Sequence, residues 1–138
     1  MPLLSAFSVM NLLLVVPAFP HPESPHTAPQ NARTARVLER LVHRLVVIAP
    51  RPYVPTWLAL RPHWKSYAAI PFFQQVGNTL VYRPANLVIP RVFPSFWSNE
   101  MASVMAWPLA QKLHKQISFD AILSFDLSEG GGVAWRLA

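Results

Sequence analysis

The chain has 138 residues, 52% of them hydrophobic, with 15 prolines, four glycines and no cysteine. This length suits one ordinary domain, the apolar fraction excludes global disorder, and the lack of cysteine excludes disulfides and thiolate metal sites while fitting a reducing compartment. Twelve Lys and Arg against six Asp and Glu give a formal charge of +6, which suits an anionic partner or merely a soluble basic surface.

Residues 1–16 are mostly apolar, as in a signal peptide. However, no Lys or Arg precedes the apolar run, and Asn11 interrupts it. The run is also too short to span a bilayer securely. We therefore predict a first buried strand over residues 9–16, closed by Pro17, with residues 1–8 as a ragged extension.

Residues 30–44 have the spacing of an amphipathic helix that follows a Pro-rich loop. Leu38, Leu41 and Leu45 recur at three- and four-residue steps, and they form the face expected to pack on a sheet. The basic residues of the other face, which should lie in water, are Arg33, Arg36, Arg40 and either His43 or Arg44.

Residues 45–49 form an apolar run without alternation, which is typical of a strand covered on both faces in a parallel sheet. Pro50 and Pro52 should end this strand. Strand, loop, helix and strand make one βαβ unit, so the loops that follow the two strands should meet at one edge of the sheet. Ligands of open parallel sheets bind at that edge, beyond the carboxyl ends of the strands.

The long middle of the chain, residues 50–98, is rich in Pro, Trp and Tyr and shows little periodicity. We predict short strands over residues 70–73 and 79–82, joined by a turn at 76–78, and an extended piece over 87–89. The rest of this region is expected to be an irregular insertion braced by its prolines.

A second helix is predicted over residues 100–116, with Asn99 as its cap. Pro108 should kink this helix or restart it. Its buried stripe should consist of Met101, Val104, Met105, Leu109 and Leu113.

The remaining residues predict a buried strand over 119–125, a glycine-rich loop over 126–132 and the start of a helix over 133–138. No further strand follows to pair with the last one. This pattern is that of a cut end, so we expect an incomplete domain of marginal stability.

Several stretches, in this order, carry a family resemblance: LLLVVPAFP, RVLERLVHRLVVIAPRPYVP, IPFFQQVGNTLVYRPANLVIPRV, and LAQKLHKQISFDAILSF followed by GGVAWRLA. Together they resemble the amino-terminal, acceptor-side domain of a family-4-type glycosyltransferase of GT-B fold, over nearly the whole chain. The resemblance implies an α/β fold, a partial Rossmann-like domain with a parallel sheet and a long Pro- and aromatic-rich insertion.

The chain also departs from the family's pattern. The first loop, residues 24–31, has no glycine where such domains commonly have some, and Ser124 and Phe125 stand where many relatives have a histidine.

The resemblance implies sugar transfer from a nucleotide sugar to a glycan or lipid-linked acceptor, in polysaccharide biosynthesis. The expected partners are that acceptor and a carboxy-terminal donor domain, which residues 1–138 do not contain. The nucleotide sugar belongs to the complete enzyme, so we expect this chain alone to bind no cofactor and to be inactive.

Candidate substrate-binding residues lie in three loops of the predicted sheet edge: His21, Glu23, His26, Arg51, Tyr53, Asp126, Ser128 and Glu129. The first loop offers groups for an acceptor hydroxyl or phosphate, Arg51 suits a phosphate, and Tyr53 suits stacking on a sugar. Backbone N–H groups at the start of the last helix suit an anion. Each group also has a plainer interpretation. The residues of the first loop can simply be solvated, and Arg51 and Tyr53 can be a surface arginine and a partly buried tyrosine. The carboxylates of the last loop can cap the helix that follows them.

A non-catalytic basic domain, associated with a membrane, a nucleotide or another subunit, is the main alternative, and a short secreted Pro-rich protein is a further one. Aromatic and basic residues are interleaved along the chain and could contact an anionic membrane or a lipid-linked acceptor, or could serve ordinary packing. They are Trp57, Trp64, Phe96, Trp97 and Trp107 with Arg61, Lys65 and Arg91. The sequence shows no metal-ligand spacing, P-loop, catalytic triad signature or nucleic-acid module. The expected location is the cytoplasm, with peripheral contact at the inner membrane face as an option.

Overall fold

A computed structural model of the chain describes residues 9–16, 18–22, 25–52, 57, 60–62, 65, 69–86 and 95–124. The strands of its main sheet are β1 (Asn11–Val15), β2 (Arg44–Ile48), β4 (Phe73–Val76), β5 (Thr79–Tyr82) and β7 (Ala121–Ser124). They lie in the order β4-β5-β2-β1-β7, and every neighbouring pair is parallel except β4 with β5. The described part of the chain is therefore an α/β fold built on a mixed, mostly parallel sheet.

The three strands predicted from unbroken apolar runs, β1, β2 and β7, are neighbours in this sheet, with β7 at one edge of its described part. Leu13 of β1 pairs with Val46 of β2 on one side and with Ile122 of β7 on the other, and both pairings are parallel. The prediction of parallel neighbours, which an antiparallel pairing would have overturned, is confirmed.

Both faces of the central strands are buried, which explains why these strands show no polar alternation. One face packs beneath helix α1 (Pro29–Leu41), and the other packs beneath helix α2 (Ser95–Ile117). The buried strand residues on the α1 side are Leu12, Leu14, Leu45, Val47 and Val81, and those on the α2 side are Leu13, Val15, Val46 and Ile48. The result is a three-layer arrangement of helix, sheet and helix.

Helix α1 packs on the sheet as predicted, but it ends at Leu41 instead of residue 44. The N–H of His43 donates to the carbonyl of Met10 at 2.9 Å, so the chain has already joined the sheet at that point. Leu45 consequently belongs to β2, and Leu41 is 38% exposed instead of buried. Ala35 and Leu38 pack on the sheet from the inner face of α1.

The predicted hairpin is present as the antiparallel pair β4–β5, with β4 shifted three residues toward the turn relative to the predicted range 70–73. Gly77 and Asn78 form the turn, and Gly77 has a φ of +61°. Glycine with positive φ at the first central position is the pattern of a type II′ turn. Because β5 pairs with β2, the hairpin extends the main sheet.

Two further strands, β3 (Arg51–Pro52) and β6 (Ala85–Asn86), form a separate short parallel pair. The central strand β2 ends at Ile48, before Pro50, as expected, yet the backbone pairs again immediately beyond Pro50, and Pro52 lies within that pairing. The N–H of Arg51 donates to the carbonyl of Pro84 at 3.0 Å.

Helix α2 begins at Ser95, five residues before the predicted start at residue 100, so Asn99 lies inside the helix and does not cap it. The helix runs through Pro108 and does not restart there. Of the predicted stripe, Leu113 is buried and Leu109 packs against the same cluster, together with Ala106 and Ala110.

The predicted extended piece at 87–89, the loop at 126–132 and the helix at 133–138 lie outside the described residues. Among the residues that the structure describes, no helix is long and apolar enough to cross a membrane.

Candidate functional site

A pocket of about 400 Å³ opens between the loop after β1, the first two turns of α1 and the hairpin strand β4. The residues that line it are Phe19, Pro20, His21, Pro22, Pro25, Pro29, Ala32, Arg33, Arg36, Gln74 and Val76. The loop leaves β1 at its carboxyl end, which is the edge where open parallel sheets bind ligands. This pocket is therefore the candidate site.

Two arginines of α1 give the pocket its charge. Arg33 and Arg36 are three residues apart on the helix, both are exposed, and both line the pocket. Within the described residues no ion pair joins either guanidinium to a carboxylate. No described carboxylate therefore competes with a ligand for these two charges.

A third arginine, Arg83, lies behind the pocket wall and is only 2% exposed. Its Nη2 donates to the carbonyl of Pro20 at 2.7 Å and to Oε1 of Gln74 at 2.8 Å, and its Nη1 reaches the carbonyl of Pro71 at 3.5 Å. No carboxylate among the described residues pairs with it, so its acceptors are all neutral. Burial lowers the pKa of Arg83 from its ordinary value, because desolvation disfavours the charged form.

Arg83 also fixes the orientation of Gln74, a lining residue. A guanidinium has donors and no acceptor, so the side-chain oxygen of Gln74 must face it. The amide nitrogen of Gln74, a donor, is the atom left for the pocket.

The first loop is tied to α1 by the buried Asn31, whose Nδ2 donates to the carbonyl of Ala18 at 2.8 Å. This hydrogen bond, together with the one from Arg83 to Pro20, holds residues 18–20 of the loop in place. The helix begins without a side-chain cap, at Ala28 in the left-handed region with a φ of 46°.

A second pocket of about 220 Å³ continues from the first and shares Phe19, Ala32, Arg36 and Val76 with it. Glu39 lines this far end and accepts a hydrogen bond from the N–H of Asn78, which ties α1 to the hairpin turn. The joined groove is therefore positive at Arg33 and negative at Glu39.

The structure brings one predicted site residue, His21, into this pocket. His26 is exposed and does not line it. Arg51 lies in β3, half-buried, and its Nε has no hydrogen-bond partner among the described residues. The other predicted residues, which lie outside the described ranges, are Glu23, Tyr53, Asp126, Ser128 and Glu129.

The strand register relates the first loop to the last one. Ser124 at the end of β7 pairs with Val15 at the end of β1, so the chain leaves the two strands side by side. The predicted meeting of the loops after the first two strands rests on a different pairing, that of Val15 at the end of β1 with Ile48 at the end of β2.

Sequence reasoning missed the pocket's cations, since it placed Arg33 and Arg36 on a solvent face and gave Arg83 no role. A signal was available for the first two: they stand in the opening turns of the helix that follows the first loop. No such signal existed for Arg83 or Gln74, because their contacts depend on how the hairpin docks.

The pocket's chemistry is that of binding. It combines two exposed cations and an amide donor with an apolar floor of Phe19, Ala32 and Val76. Within the described residues Glu39 is the one acid that lines the groove, and no three His, Asp or Glu side chains are close enough to hold a metal ion. Comparison with protein-family models, with curated proteins and with solved structures finds no match.

Proposed function

We propose that the chain is the acceptor-side domain of a glycosyltransferase of GT-B type. In this proposal it holds a glycan or lipid-linked acceptor, while a second domain binds the nucleotide sugar. The observation that carries the proposal is the order of the parallel strands, β5-β2-β1-β7, combined with a pocket beside the first loop.

Counted along the chain, these strands are the third, second, first and fourth parallel strands of the sheet. This is the order in which doubly wound, Rossmann-like sheets begin. Helices α1 and α2 lie on opposite faces, which is what right-handed crossovers in opposite directions produce. The order and the helix placement favour the Rossmann-like interpretation that the family resemblance implies.

The size and lining of the pocket suit a saccharide unit. Its volume of about 400 Å³ is within the range of small-molecule sites. The apolar floor can contact the face of a sugar ring, and the donors can bind its oxygens. Such a pocket contributes to glycosyl transfer by positioning the acceptor, and the donor must be held by other groups.

Calorimetric titration of the full chain tests this assignment. We expect saccharide or lipid-linked acceptor analogues to bind, and a panel of nucleotide sugars to show no specific binding. A radiolabel transfer assay with the chain alone should give no product. Micromolar binding of a nucleotide sugar, or turnover by the chain alone, would contradict the acceptor-side assignment.

A second candidate function is contact with an anionic surface, without catalysis. Trp57 and Leu60 are 71% and 86% exposed, and Arg61 and Lys65 beside them are exposed as well. Apolar side chains next to cations suit a membrane with acidic lipid. In this case liposome co-sedimentation should require acidic lipid and weaken with salt. Equal binding to neutral vesicles at high salt would show nonspecific hydrophobic adsorption instead.

A further inference from the structure

We propose that the pocket recognises a phosphate ester, with Arg33 and Arg36 holding the phosphate and the apolar floor holding the organic body. The ligand class is a phosphorylated saccharide, either soluble or carried on a lipid. This deepens the proposed function and rests on it for the claim that the body is a saccharide.

The two arginines are placed to act on one group. Residues three apart on a helix are neighbours on its surface, roughly 5–6 Å apart at Cβ. Arginine presents its donors in a planar fork that matches the oxygens of a phosphate. Neither guanidinium has an ion-pair partner among the described residues, so a phosphate that binds here breaks no salt bridge within that part of the chain.

The buried Arg83 strengthens the preference for an anion. It contacts three neutral oxygens, so no described carboxylate cancels its charge. Two of those oxygens belong to Pro20 and Gln74, which line the pocket. A charge behind a protein wall is screened by salt less than an exposed one.

The acid at the far end of the groove sets the orientation of the ligand. Glu39 lines the second pocket, beyond Arg36, where it would repel an anion. A ligand with one phosphate should therefore place it near Arg33 and Arg36. Its uncharged body should extend over Phe19 and Val76 toward Glu39.

The test is calorimetric titration of the full chain with hexose 1- and 6-phosphates, the matching free hexoses and inorganic phosphate. We expect a hexose phosphate to bind more tightly than both its free hexose and phosphate alone. The double variant R33Q/R36Q should weaken that binding by at least about tenfold. The control is R40Q, which removes one positive charge from an exposed site of the same helix outside the pocket and should change binding by less than about twofold.

The possible outcomes distinguish failure of the phosphate site from failure of the proposed acceptor-binding function. Each of four results would overturn the phosphate site. The first two are that R40Q weakens hexose phosphate binding as much as R33Q/R36Q does, or that R33Q/R36Q has no effect while its circular dichroism is unchanged. The other two are that free hexoses bind as tightly as hexose phosphates, or that no hexose phosphate binds. Binding of free hexoses would leave the proposed function standing. Binding of phosphate alone, with the same dependence on Arg33 and Arg36, would support the anion site and count against the saccharide. Vesicles with and without a lipid-linked sugar phosphate then distinguish the lipid source from the soluble one.

Discussion

Among individual residues, Arg83 carries the most unusual electrostatics. Burying a guanidinium without a carboxylate is unfavourable, and its hydrogen bonds to neutral oxygens offset that penalty only in part. Since burial lowers its pKa, the folded state holds this proton less tightly than the unfolded state does. The charged side chain of Arg83 therefore destabilises the folded state, and this destabilisation disappears only when the pH rises toward the ordinary pKa of arginine and the group loses its proton. At neutral pH Arg83 remains charged, and the penalty does not vary.

At Gly77 a single added methyl group should destabilise the hairpin turn. An L side chain at a φ of +61° is strained, and a Cβ there would lie 2.9 Å from Oε1 of Glu39. The carboxylate would have to turn away and release Asn78. We expect Gly77→Ala to lower the free energy of unfolding by about 1–2 kcal/mol, measured by urea denaturation.

The matched control is Gly77→Ala in a Glu39→Ala background. There the three atoms nearest to the new methyl group, all of the Glu39 carboxylate, are gone, so about 1 kcal/mol of backbone strain should remain. The same cost in both backgrounds would show that Glu39 does not constrain the turn.

At Ser118 a substitution by glycine should stabilise the chain. It follows α2 with a φ of 60°, and its N–H donates to the carbonyl of His114 at 2.8 Å, as in a left-handed helix end. Glycine adopts this conformation without strain, so Ser118→Gly should stabilise the chain by about 0.5–1 kcal/mol. Ser118→Ala, which keeps the Cβ, should not. A thermal melt of both variants decides this, and equal melting temperatures would contradict it.

Among the helices and strands, those buried on both sides were the most predictable from sequence. β1 and β2 each show an apolar run, because successive residues of each strand pack against helices on opposite faces of the sheet. Boundaries set by tertiary pairing were not predictable. The end of α1 depends on the hydrogen bond from His43 to Met10, and the β3–β6 pair joins segments distant in sequence.

Helix α2 contains a proline that should weaken it. Pro108 lacks the N–H that would bond to the carbonyl four residues earlier, and its side chain is exposed. Pro108→Ala restores that bond without removing buried surface. We expect it to raise the free energy of unfolding by about 1–3 kcal/mol in denaturant titration.

The exposed Gln111 of the same helix provides the control, because Gln111→Ala should change stability by less than about 0.5 kcal/mol. A Pro108→Ala variant no more stable than the parent would mean that the helix already compensates for the missing bond.

At the scale of the whole molecule, the candidate site combines the first loop, helix α1 and the hairpin, which the sequence predicts as separate elements without showing that they meet. The sheet edge and His21 followed from the βαβ pattern. The hairpin itself was predicted, but its position as a wall of the pocket was not, because that position depends on the pairing of β5 with β2. In the structure β5 pairs with β2 and carries β4 to the side of α1, and this completes the pocket.

One guanidinium joins the two walls of the pocket, since Arg83 binds both Pro20 of the first loop and Gln74 of the hairpin. The loop and the hairpin should therefore open as one cooperative unit, and their backbone amides should share one opening free energy in native-state hydrogen exchange. Arg83→Met keeps an apolar stem but removes every donor. In this variant we expect the amides of Phe19 and His21 to exchange at a different rate from those of residues 73–82, while the centre of β1 keeps its protection. If Arg83 couples the walls, a ligand that holds the loop also slows the unfolding of a hairpin more than fifty residues away along the chain.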